Sequence, residues 1–593
     1  MKSRPYLPAG SIKELLFLTL LLVGTTAVAE SDNRYCRSGD TPDFGASKDG
    51  PAALPNRCIN TALSSTPSPG KEIKVSDPRG IATALQSASC GDTIVLSTGQ
   101  TFAPFTLPAK QCDAAHWITI RTSAKSELPP EGTRLTPCYA GQKSLPDRPA
   151  YGCPTPKNVL ARIELKAGAG AITVAAGADH YRIIGLEVTR MPGTGTAYAL
   201  IRFEDGADHV VIDRSWIHGT AADETVRGIN LGGSSYVGIV DSYFNDFHCI
   251  AKTGACIDAQ AIVGGNSKVP VGVYKIVNNY LEASAENVMF GGGPGSQIPG
   301  DIEIRRNHMF KPLSWLRGRP NYVGTDFIVK NLFELKNAER VLVEGNLMEN
   351  SWGGYSQVGY AILLTPRGTW AAVQDVTIRK NLIRHTGSGM QLAASLADGK
   401  KVDSLAAQRW SIHDDLLEDL DADAYNGDGM VFQITSGFWK NVPLNNVRVS
   451  HVTVATRGRV KSLILVGVNP ENPRLPFAIS FTDNIVPAGT NSVWSSGRGT
   501  CPKSGQPATT FKNCWESFQV TNNVIINYPG GQGPWPPGNS LVKDIGTVGF
   551  QRSDGEEPDY RLSAGSHFAG KSSDGKDAGA DIDAIRSAVE GVR

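Results

Sequence analysis

The sequence predicts an all-β solenoid, in which the chain winds into about ten stacked coils. The first observation is a recurring phrase that consists of an aliphatic residue, two variable residues, an Asn and usually an aromatic or aliphatic pair. The second observation is a short run of alternating apolar residues between successive phrases, which is typical of strands. Six of the phrases contain Asn279, Asn307, Asn346, Asn381, Asn484 and Asn523. Asn suits a repeated bend because it tolerates left-handed backbone and its amide bonds neighbouring main chain, and stacked Asn side chains can bond one another in a ladder.

Composition favours a turn-rich, exported β protein. The chain of 593 residues contains 64 Gly and only 19% charged residues, and its formal charge of +1 gives no reason to expect nucleic acid or membrane lipid as a partner. Residues 1–29 are predicted to be a cleavable signal peptide, with a basic start, an apolar run and the small-residue cleavage site Ala27-Val28-Ala29. We therefore expect a secreted or periplasmic protein with no membrane span after the signal is removed.

All ten cysteines follow the signal, and an even number in an exported chain predicts disulfides. Sequence alone does not fix the connectivity, but nearest-neighbour pairing is the simplest arrangement in a linear solenoid. Zinc binding is disfavoured because no CxxC pair or His cluster accompanies these cysteines. The expected pairs are Cys36 with Cys58, Cys90 with Cys112, Cys138 with Cys153, Cys249 with Cys256 and Cys501 with Cys514.

The order of segments predicts one solenoid domain after a lead-in. Residues 30–74 are rich in Ser, Pro and Gly and are expected to be loosely structured. Residues 75–593 form the solenoid, with an N-terminal cap and first coils over 75–160, main coils over 161–530 and a C-terminal capping segment over 531–593. A helical pattern between Pro78 and Ser89 predicts a short helix that covers the first open coil.

One strand of each coil carries polar residues at alternate positions, which period-two alternation turns outward. We expect these side chains to form a bed for an extended polymer, with Gln260 beside them and with Trp315 and Trp352 available to stack on sugar rings. The outward-facing residues are predicted to be Asn230, Asn287, Glu334, Lys336, Thr365, Gln391 and Gln433.

Several strings resemble the right-handed parallel β-helix proteins of the pectate-lyase-like superfamily. Those strings include Gly91-Asp92-Thr93-Ile94-Val95-Leu96, Phe310-Lys311-Pro312-Leu313-Ser314-Trp315 and Gly579-Ala580-Asp581-Ile582-Asp583. The central block is similar to an uncharacterised, secreted bacterial branch of that superfamily. The resemblance implies a right-handed parallel β-helix over residues 75–593. Members commonly cleave or epimerise acidic polysaccharides, whereas others only bind them, so the resemblance is specific for the fold and weak for the activity.

A uronate lyase of this kind needs a base beside a group that neutralises the substrate carboxylate. Lys336 and Arg367 follow the polar strand on successive coils, and crowding by another cation lowers the proton affinity of a lysine. We expect this pair to be catalytic, with Lys311 and His308 joining from the preceding coil. The alternative is that Lys336 is a solvated lysine paired with Glu334 and that Arg367 is a loop charge.

Two acidic groups could bind calcium, since carboxylate oxygens suit this cation. The first is Asp258, Glu286 and Glu334 on successive coils. The second is a loop with Asp421, Asp423, Asn426 and Asp428, which begins like a calcium loop but lacks its terminal Glu. The alternatives are that the first three residues bond strand ends and that the second group is a solvated acidic loop.

The leading expectation is therefore a monomeric, secreted β-helix that cleaves an extended, uronate-containing polysaccharide by β-elimination. The first alternative is a non-catalytic glycan-binding or surface β-helix protein. The second is a glycoside hydrolase or epimerase, for which His413, Asp414 and Asp415 are the tempting residues. Asp415, however, stands where the recurring phrase has its Asn, which favours a structural turn.

Overall fold

The structure, a computed structural model, describes residues 34–252, 254, 256–355, 357–394, 404–436, 442–467, 474–495, 501, 505–530 and 532–593. The expected signal peptide, residues 1–29, lies outside these residues. The described chain is a right-handed parallel β-helix, so the predicted fold class is confirmed. A typical coil contributes one strand to each of three long parallel sheets, which contain 14, 14 and 12 strands.

Sheet 1 lies directly before the Asn bend of each coil. Its strands pair in register, so that Ile276 lies beside Ile304 and Ile304 beside Val343, and all three are fully buried in a continuous core. Matching aliphatic side chains thus stack from coil to coil. The strands are Glu72–Val75, Thr93–Leu96, Ile118–Thr122, Asp179–Ile184, Asp208–Asp213, Ser235–Val240, Gly272–Val277, Gly300–Arg305, Ala338–Glu344, Ala372–Arg379, Ala406–His413, Asn445–Ser450, Phe477–Thr482 and Phe518–Thr521.

Sheet 2 follows the Asn bend, and its outer face is covered over several coils by the long connection between residues 123 and 160. The strands of sheet 2 are Thr101–Phe102, Ala161–Leu165, Leu186–Arg190, Trp216–His218, Tyr243–Phe247, Tyr280–Ala283, His308–Phe310, Leu347–Ser351, Leu382–Thr386, Leu416–Leu420, Thr453–Ala455, Ile485–Pro487, Val524–Ile526 and Ser540–Val542.

Sheet 3 carries the polar residues that the sequence predicts to form the bed. Two consecutive residues near the start of its strands both point into the core, for example Ala361 and Ile362. This irregularity, which strict alternation does not predict, decides which side chains face outward. The strands are Phe105–Leu107, Gly168–Val174, Ala197–Phe203, Arg227–Asn230, Gln260–Gly264, Glu286–Phe290, Phe333–Leu335, Tyr360–Leu364, Ser388–Ala393, Met430–Thr435, Ser462–Gly467 and Val493–Ser495.

Short helices and hairpins close the ends and corners of the solenoid. The predicted capping helix spans Ile81–Ser87 and buries Ile81, Ala84 and Leu85 against the first coil. Two further α-helices span Pro507–Cys514 and Ile582–Val589. The 3-10 helices are Leu63–Ser65, Lys125–Glu127, Pro137–Tyr139, Leu313–Trp315 and Ile545–Val548, and the antiparallel pairs are Lys48–Asp49 with Ala52–Ala53, Gly353–Gly354 with Gln357–Val358 and Phe550–Arg552 with Asp559–Leu562.

The described part of the lead-in is bound to sheet 1 rather than loosely structured. The backbone N–H of Ala53 donates to Asp375 (3.0 Å) and that of Asn56 to Asp301 (2.9 Å). Arg34 is buried and forms ion pairs with Asp213 and Asp241. The Ser-, Pro- and Gly-rich composition did not indicate this ordered structure, because the carboxylates that bind the lead-in are distant in the sequence.

The bends between sheets 1 and 2 contain the expected ladder. Asn279 donates to Asn307 (3.0 Å), Asn307 to Asn346 (3.1 Å), Asn346 to Asn381 (3.0 Å) and Asn381 to Asp415 (2.9 Å). A second run joins Asn484, Asn523 and Asn539 at 2.8 Å. The residue with left-handed backbone in each bend is the one before the ladder residue, for example Asn278 and Asp414. The ladder positions therefore need Asn for its side-chain hydrogen bonds, not for its tolerance of a left-handed backbone.

All ten cysteines form disulfides in the nearest-neighbour pairs expected above. Each bridge closes a short loop of 7 to 22 residues, so it restrains one coil or connection rather than joining distant coils. Within the part of the chain that the structure describes, no helix is both long and apolar enough to span a bilayer.

Asp415 makes the ladder sensitive to pH. Its Oδ1 accepts from the backbone and side-chain amides of Asn381, while its Oδ2 is buried without a hydrogen bond, and this burial raises the pKa of Asp415 to about 7. In an unfolded chain an aspartate titrates near pH ~3.9. Between about pH 4 and 7 the unfolded state therefore loses this proton while the folded state keeps it, which lowers stability as the pH rises.

We predict that Asp415→Asn raises the thermal midpoint, with a small gain at pH 4 and the largest gain above pH 7. The upper bound on the gain is about 4 kcal/mol, since each pKa unit corresponds to about 1.4 kcal/mol. Thermal unfolding followed by circular dichroism across this pH range measures the gain in stability.

Asp414→Asn is the matched control. His413 and a backbone N–H hold the pKa of Asp414 below its usual range, so this change should destabilise the protein at neutral pH. A pH-independent effect of Asp415→Asn would contradict the assignment.

Candidate functional site

The in-register strands of sheet 3 place one outward residue per coil in a continuous column. Pairing joins Asn230 to Val263, Met289 and Glu334 in turn, and the column then continues through Leu363, Gln391 and Gln433. Gln391 donates to Gln433 at 3.0 Å. Four of the polar residues predicted for the bed, Asn230, Glu334, Gln391 and Gln433, therefore occupy this column. Apolar residues separate Asn230 from Glu334 and Glu334 from Gln391.

An ionic cluster lies on the same face, where Asp258, Glu286 and Glu334 approach one another from successive coils. Lys336 bridges two of these carboxylates, with its Nζ 3.3 Å from Glu334 and 3.9 Å from Glu286. Arg367 lies 3.8 Å from the other oxygen of Glu334, to which Thr365 also donates (3.2 Å). The predicted pair of Lys336 and Arg367 is thus brought together, but through the carboxylate between them rather than by direct contact of two cations.

Burial sets the charge balance of the cluster. Glu286 and Glu334 are 0% and 1% exposed. Desolvation and the neighbouring Glu286 raise the pKa of Asp258 to about 7, whereas Lys336 and Lys330 hold the pKa of Glu286 well below its usual range. Desolvation together with Glu286 raises the pKa of Glu334. At neutral pH, Asp258 is therefore a carboxyl group that can both give and take a proton.

Lys336 faces a cavity of about 320 Å³ beside this cluster. Its walls include Asp258 and Met289, the glycines 291–293 and the exposed side chains of Tyr198 and Ile257. Lys336 also lies 3.1 Å from the sulfur of Met289, and a Cβ on Gly292 would come within 2.8 Å of the Lys336 side chain. Glycine is therefore required where the loop passes over the lysine. The volume falls within the range of about 300–1,000 Å³ that is common for small-molecule sites.

Two basic residues of this site were not predicted from the sequence. Lys330 lies 2.9 Å from Asp258 and 3.7 Å from Glu286, and these carboxylates raise its pKa. Arg227 lines the cavity, and its side chain has neither an ion pair nor a hydrogen bond to any residue that the structure describes. Arg227 occupies the first position of its strand and Lys330 precedes its own strand, so strand alternation gave no signal for either.

The structure contradicts the expectation that Lys311 and His308 join this site. Lys311 is fully buried and donates to the carbonyl oxygens of Ala283 (2.8 Å) and Ala285 (2.6 Å) and to Asn287 (2.9 Å), and its burial lowers its pKa to about 7. It therefore ties a corner of the coil together. His308 belongs to sheet 2, on a different face of the solenoid, where it pairs with Glu349.

Several residues predicted to bind substrate are inaccessible. Asn287 is fully buried because it donates to the carbonyl oxygens of Leu281 and Phe310. Gln260 and Thr365 are also fully buried and bond Glu286 and Glu334, so they support the cluster rather than a ligand.

The two tryptophans expected to stack on sugar rings are likewise buried. Trp315 and Trp352 are 5% and 3% exposed and pack in one apolar cluster with Phe327 and Tyr425. They hold together the connections between sheets 2 and 3. Tyr198, which is 52% exposed at the cavity, is the aromatic side chain available there.

The carboxylates of Asp258, Glu286 and Glu334 already have cationic partners. The ammonium groups of Lys330 and Lys336 stand between these carboxylates, where the cation would bind. Over the described ranges, no group of three or more His, Cys, Asp or Glu side chains is arranged to hold a metal ion. Calcium binding stays a prediction, which the chelation arm of the activity screen below tests.

The second acidic loop uses its oxygen atoms for local bonds. Asp421 accepts from the backbone N–H groups of Asp423 and Ala424, and Asp423 pairs with Arg459. Asn426 donates to the carbonyl oxygen of Gly353 (2.8 Å). Asp428 donates its backbone N–H to Val358 at the end of the loop. Calcium binding by this loop stays a prediction as well.

Comparison with known proteins finds likeness only among solved structures. No protein-family model and no curated protein matches the chain. The chain is similar to an alginate lyase from Paenibacillus sp. str. FPU-7, with 16% identity over 64% of this chain and 97% of that chain and a TM-score of 0.32. It is also similar to the PL6 family alginate lyase AlyGC, with 12% identity over 84% of this chain and 57% of that chain and a TM-score of 0.40. A third similar structure is the Yersinia enterocolitica family 28 exopolygalacturonase, with 10% identity over 80% of this chain and 78% of that chain and a TM-score of 0.37. These likenesses concern the fold, and the function is inferred from this chain's own residues.

We predict that Lys330→Met destabilises the protein by about 3–5 kcal/mol, because it leaves Asp258 without its ammonium partner and Glu286 with Lys336 alone. The thermal midpoint at pH 7 measures the loss. In an Asp258→Asn background the same change should cost less, since one of the two carboxylates no longer needs the cation. Equal losses in both backgrounds would show that Lys330 does not stabilise Asp258.

Proposed function

We propose that this protein is a secreted polysaccharide lyase that cleaves a uronate-containing polysaccharide by β-elimination. The supporting observation is the cavity of about 320 Å³ that is lined by Lys336, Asp258 and an arginine, Arg227, which forms no ion pair or hydrogen bond with a described residue. Five disulfides support an extracytoplasmic location.

The charge of the site favours an anionic substrate. Arg227, Lys330, Lys336 and Arg367 face the three carboxylates of Asp258, Glu286 and Glu334, so one positive charge is in excess when all are ionised, and a proton on Asp258 increases that excess. Desolvation lowers the pKa of Arg227, although the charges of Asp258 and Glu286 act in the opposite direction. Arg227 forms no ion pair with a described residue, and a substrate carboxylate would supply one.

Each residue can then be given a role in the elimination. Arg227 neutralises the carboxylate of the sugar, which acidifies the proton on the adjacent carbon. Lys336, as the neutral amine, removes that proton and becomes the ammonium. The electron pair forms a double bond to the neighbouring carbon, and the bond from that carbon to the glycosidic oxygen breaks. Asp258 gives its proton to the departing oxygen. No water is consumed, and the products are an unsaturated uronate and a shortened chain.

Arg367 acts through Glu334 rather than on the substrate. It does not line the cavity, and its guanidinium contacts Glu334, which in turn contacts Lys336. We assign it a positioning role, together with Thr365. In the column on sheet 3, the half-buried Asn230 and Gln391 offer polar contacts to further sugar units. Gln433 is 5% exposed and bonds Gln391, so it supports the column from within.

The contacts of Lys336 favour a second candidate, a non-catalytic binder of acidic glycans. Lys336 forms ion pairs with two carboxylates, and such contacts suit a residue that binds an anion as well as one that removes a proton. Under this alternative, Lys336 and Arg227 bind the sugar carboxylate but no proton is removed. The two functions predict the same ligands and differ only in the products.

The activity screen separates these functions. Purified mature protein is incubated with pectate, alginate and glycosaminoglycans, with and without EDTA, and the ultraviolet absorbance of the unsaturated product is followed together with reducing ends. A lyase produces both signals, a hydrolase produces reducing ends alone, and a binder produces neither. Loss of activity in EDTA that calcium restores would support the calcium prediction.

We predict that Lys336→Ala lowers the rate of elimination by about 10²–10⁴-fold, the usual contribution of a positioned acid or base. The far-UV circular dichroism spectrum should stay unchanged. Lys268→Ala, which removes an exposed lysine two positions after Asn266 of the cavity wall, is the control and should retain full activity. An active Lys336→Ala variant would reject the lysine as the base.

We further predict that Arg227→Gln lowers kcat/KM by about 10²–10³-fold, as expected when a group that stabilises developing charge is lost. Because Arg227 is desolvated and forms no ion pair with a described residue, its replacement should not lower the thermal midpoint. Arg367→Gln is the comparison: it should lower the rate less, since Arg367 contacts only Glu334. A larger effect at Arg367 than at Arg227 would reverse these two assignments.

A further inference from the structure

The cavity beside Lys336 is built from five successive coils, so it extends along the axis of the solenoid. Tyr198, Arg227, Asp258, Met289 and Lys336 line it, and each belongs to a different coil, in this order along the chain. Parallel pairing on sheet 3 joins these coils one after another. Tyr198 and Lys336 therefore belong to the first and the last coil of the cavity.

Tyr198 has no structural partner within the described chain. It is 52% exposed, its ring forms no stacked, edge-on or cation–π contact there, and its hydroxyl forms no hydrogen bond with a described residue. The flanking residues Ala197 and Ala199 are both buried. The strand thus buries two small side chains and leaves the large aromatic ring between them in solvent, so coil stability does not explain a tyrosine at this position.

A second apolar side chain is exposed on the same cavity. Ile257 is 80% exposed and directly follows Cys256, whose disulfide with Cys249 restrains the chain before it. Exposed apolar surface is unfavourable in water. Two such side chains on one cavity indicate a surface that a ligand covers.

The charge beside Tyr198 indicates which ligand covers it. The backbone N–H of Val226 donates to Ala197 (2.8 Å), so the next residues in each strand, Arg227 and Tyr198, are neighbours on adjacent coils. Arg227 forms no ion pair with a described residue, and a uronate carboxylate would supply one. Adjacent coils are about 4.8 Å apart, which is close to the length of one sugar unit in an extended chain. A polymer that lies along the axis and is held by its carboxylate at Arg227 therefore places the next unit over Tyr198.

We propose that Tyr198 is a substrate-binding residue that stacks on the sugar unit next to the one whose carboxylate Arg227 binds. Ile257 adds an apolar contact at the rim of the cavity. This inference rests on the proposed function and deepens it, since the site then recognises at least two linked sugar units rather than a single uronate. Tyr198 takes no part in proton transfer, so its stacking is the same before and during elimination and lowers KM without changing kcat.

Binding is measured by titration calorimetry in the Lys336→Ala background, in which the oligosaccharides are not cleaved. The probes are galacturonate, mannuronate and glucuronate, together with the tetrasaccharides of galacturonan, mannuronan and hyaluronan. We expect a tetrasaccharide to bind more tightly than its monomer. Tyr198→Ala should weaken binding of that tetrasaccharide about tenfold, as expected for the loss of an aromatic contact, and should change monomer binding less than twofold. Tyr198→Phe keeps the ring and should change neither by more than twofold.

Steady-state kinetics test the same residue in the otherwise wild-type chain. Tyr198→Ala should raise KM for the cleaved polymer about tenfold, with kcat and the thermal midpoint unchanged. Tyr35→Ala is the matched control. Tyr35 is 50% exposed on the lead-in and does not line this cavity, so its replacement should change neither KM nor tetrasaccharide binding.

Three results would overturn the inference. The first is tetrasaccharide binding that Tyr198→Ala does not weaken. The second is an equal loss for monomer and tetrasaccharide, which would place Tyr198 on the unit that Arg227 binds. The third is a loss in Tyr198→Phe as large as that in Tyr198→Ala, which would assign the effect to the hydroxyl rather than to a stacked ring.

The same measurements separate this inference from the proposed function. Tyr198-dependent binding without elimination would reject cleavage and leave the stacking contact in place. Elimination that does not depend on Tyr198 would reject the stacking contact alone. Absence of binding by every tetrasaccharide, together with absence of elimination, would reject both.

Discussion

The in-register parallel pairing of neighbouring coils is the constraint on which the rest of this structure depends. Pairing fixes each residue above its counterpart about 4.8 Å away in the next coil. The same constraint stacks Ile276, Ile304 and Val343 in the core, joins the Asn residues of the bends, and brings Glu286 and Glu334 together although 48 positions separate them in the chain. Fold and candidate site are thus two consequences of one repeat geometry.

The buried polar groups of the candidate site lower the stability of the fold. Three carboxylates and their basic partners are largely removed from water, and buried ion pairs of this kind seldom stabilise a protein more than apolar packing of the same volume would. Gly292 adds a close contact with the Lys336 side chain, at a backbone conformation with positive φ that favours glycine. Neither feature is needed to stabilise a coil, so both features indicate a functional role for this region.

Much of the fold could be predicted because its causes are local and repeated. The Asn phrase, the apolar alternation and the capping helix each follow from a few adjacent residues, and all three are present.

The site could be predicted only in part. Lys336, Arg367 and the three carboxylates meet as expected, because register alone brings them together. Lys311 and Asn287 turn inward and bond to main chain at a corner, which alternation could not indicate. Arg227 contributes from outside the alternating run, and Trp315 and Trp352 pack under a connection whose path depends on contacts distant in sequence.

The C-terminal segment has a consequence for how the solenoid unfolds. A simple repeat protein frays coil by coil, because each repeat contacts only its neighbours. Here the segment runs back along the corner between sheets 1 and 2 and bonds successively to Asp483, Thr453, Asp414, Arg306 and Arg134. Coils more than three hundred positions apart are therefore bonded to the same C-terminal segment. Removal of that segment would turn a single cooperative unfolding transition into a series of partial transitions that begin at the end coils.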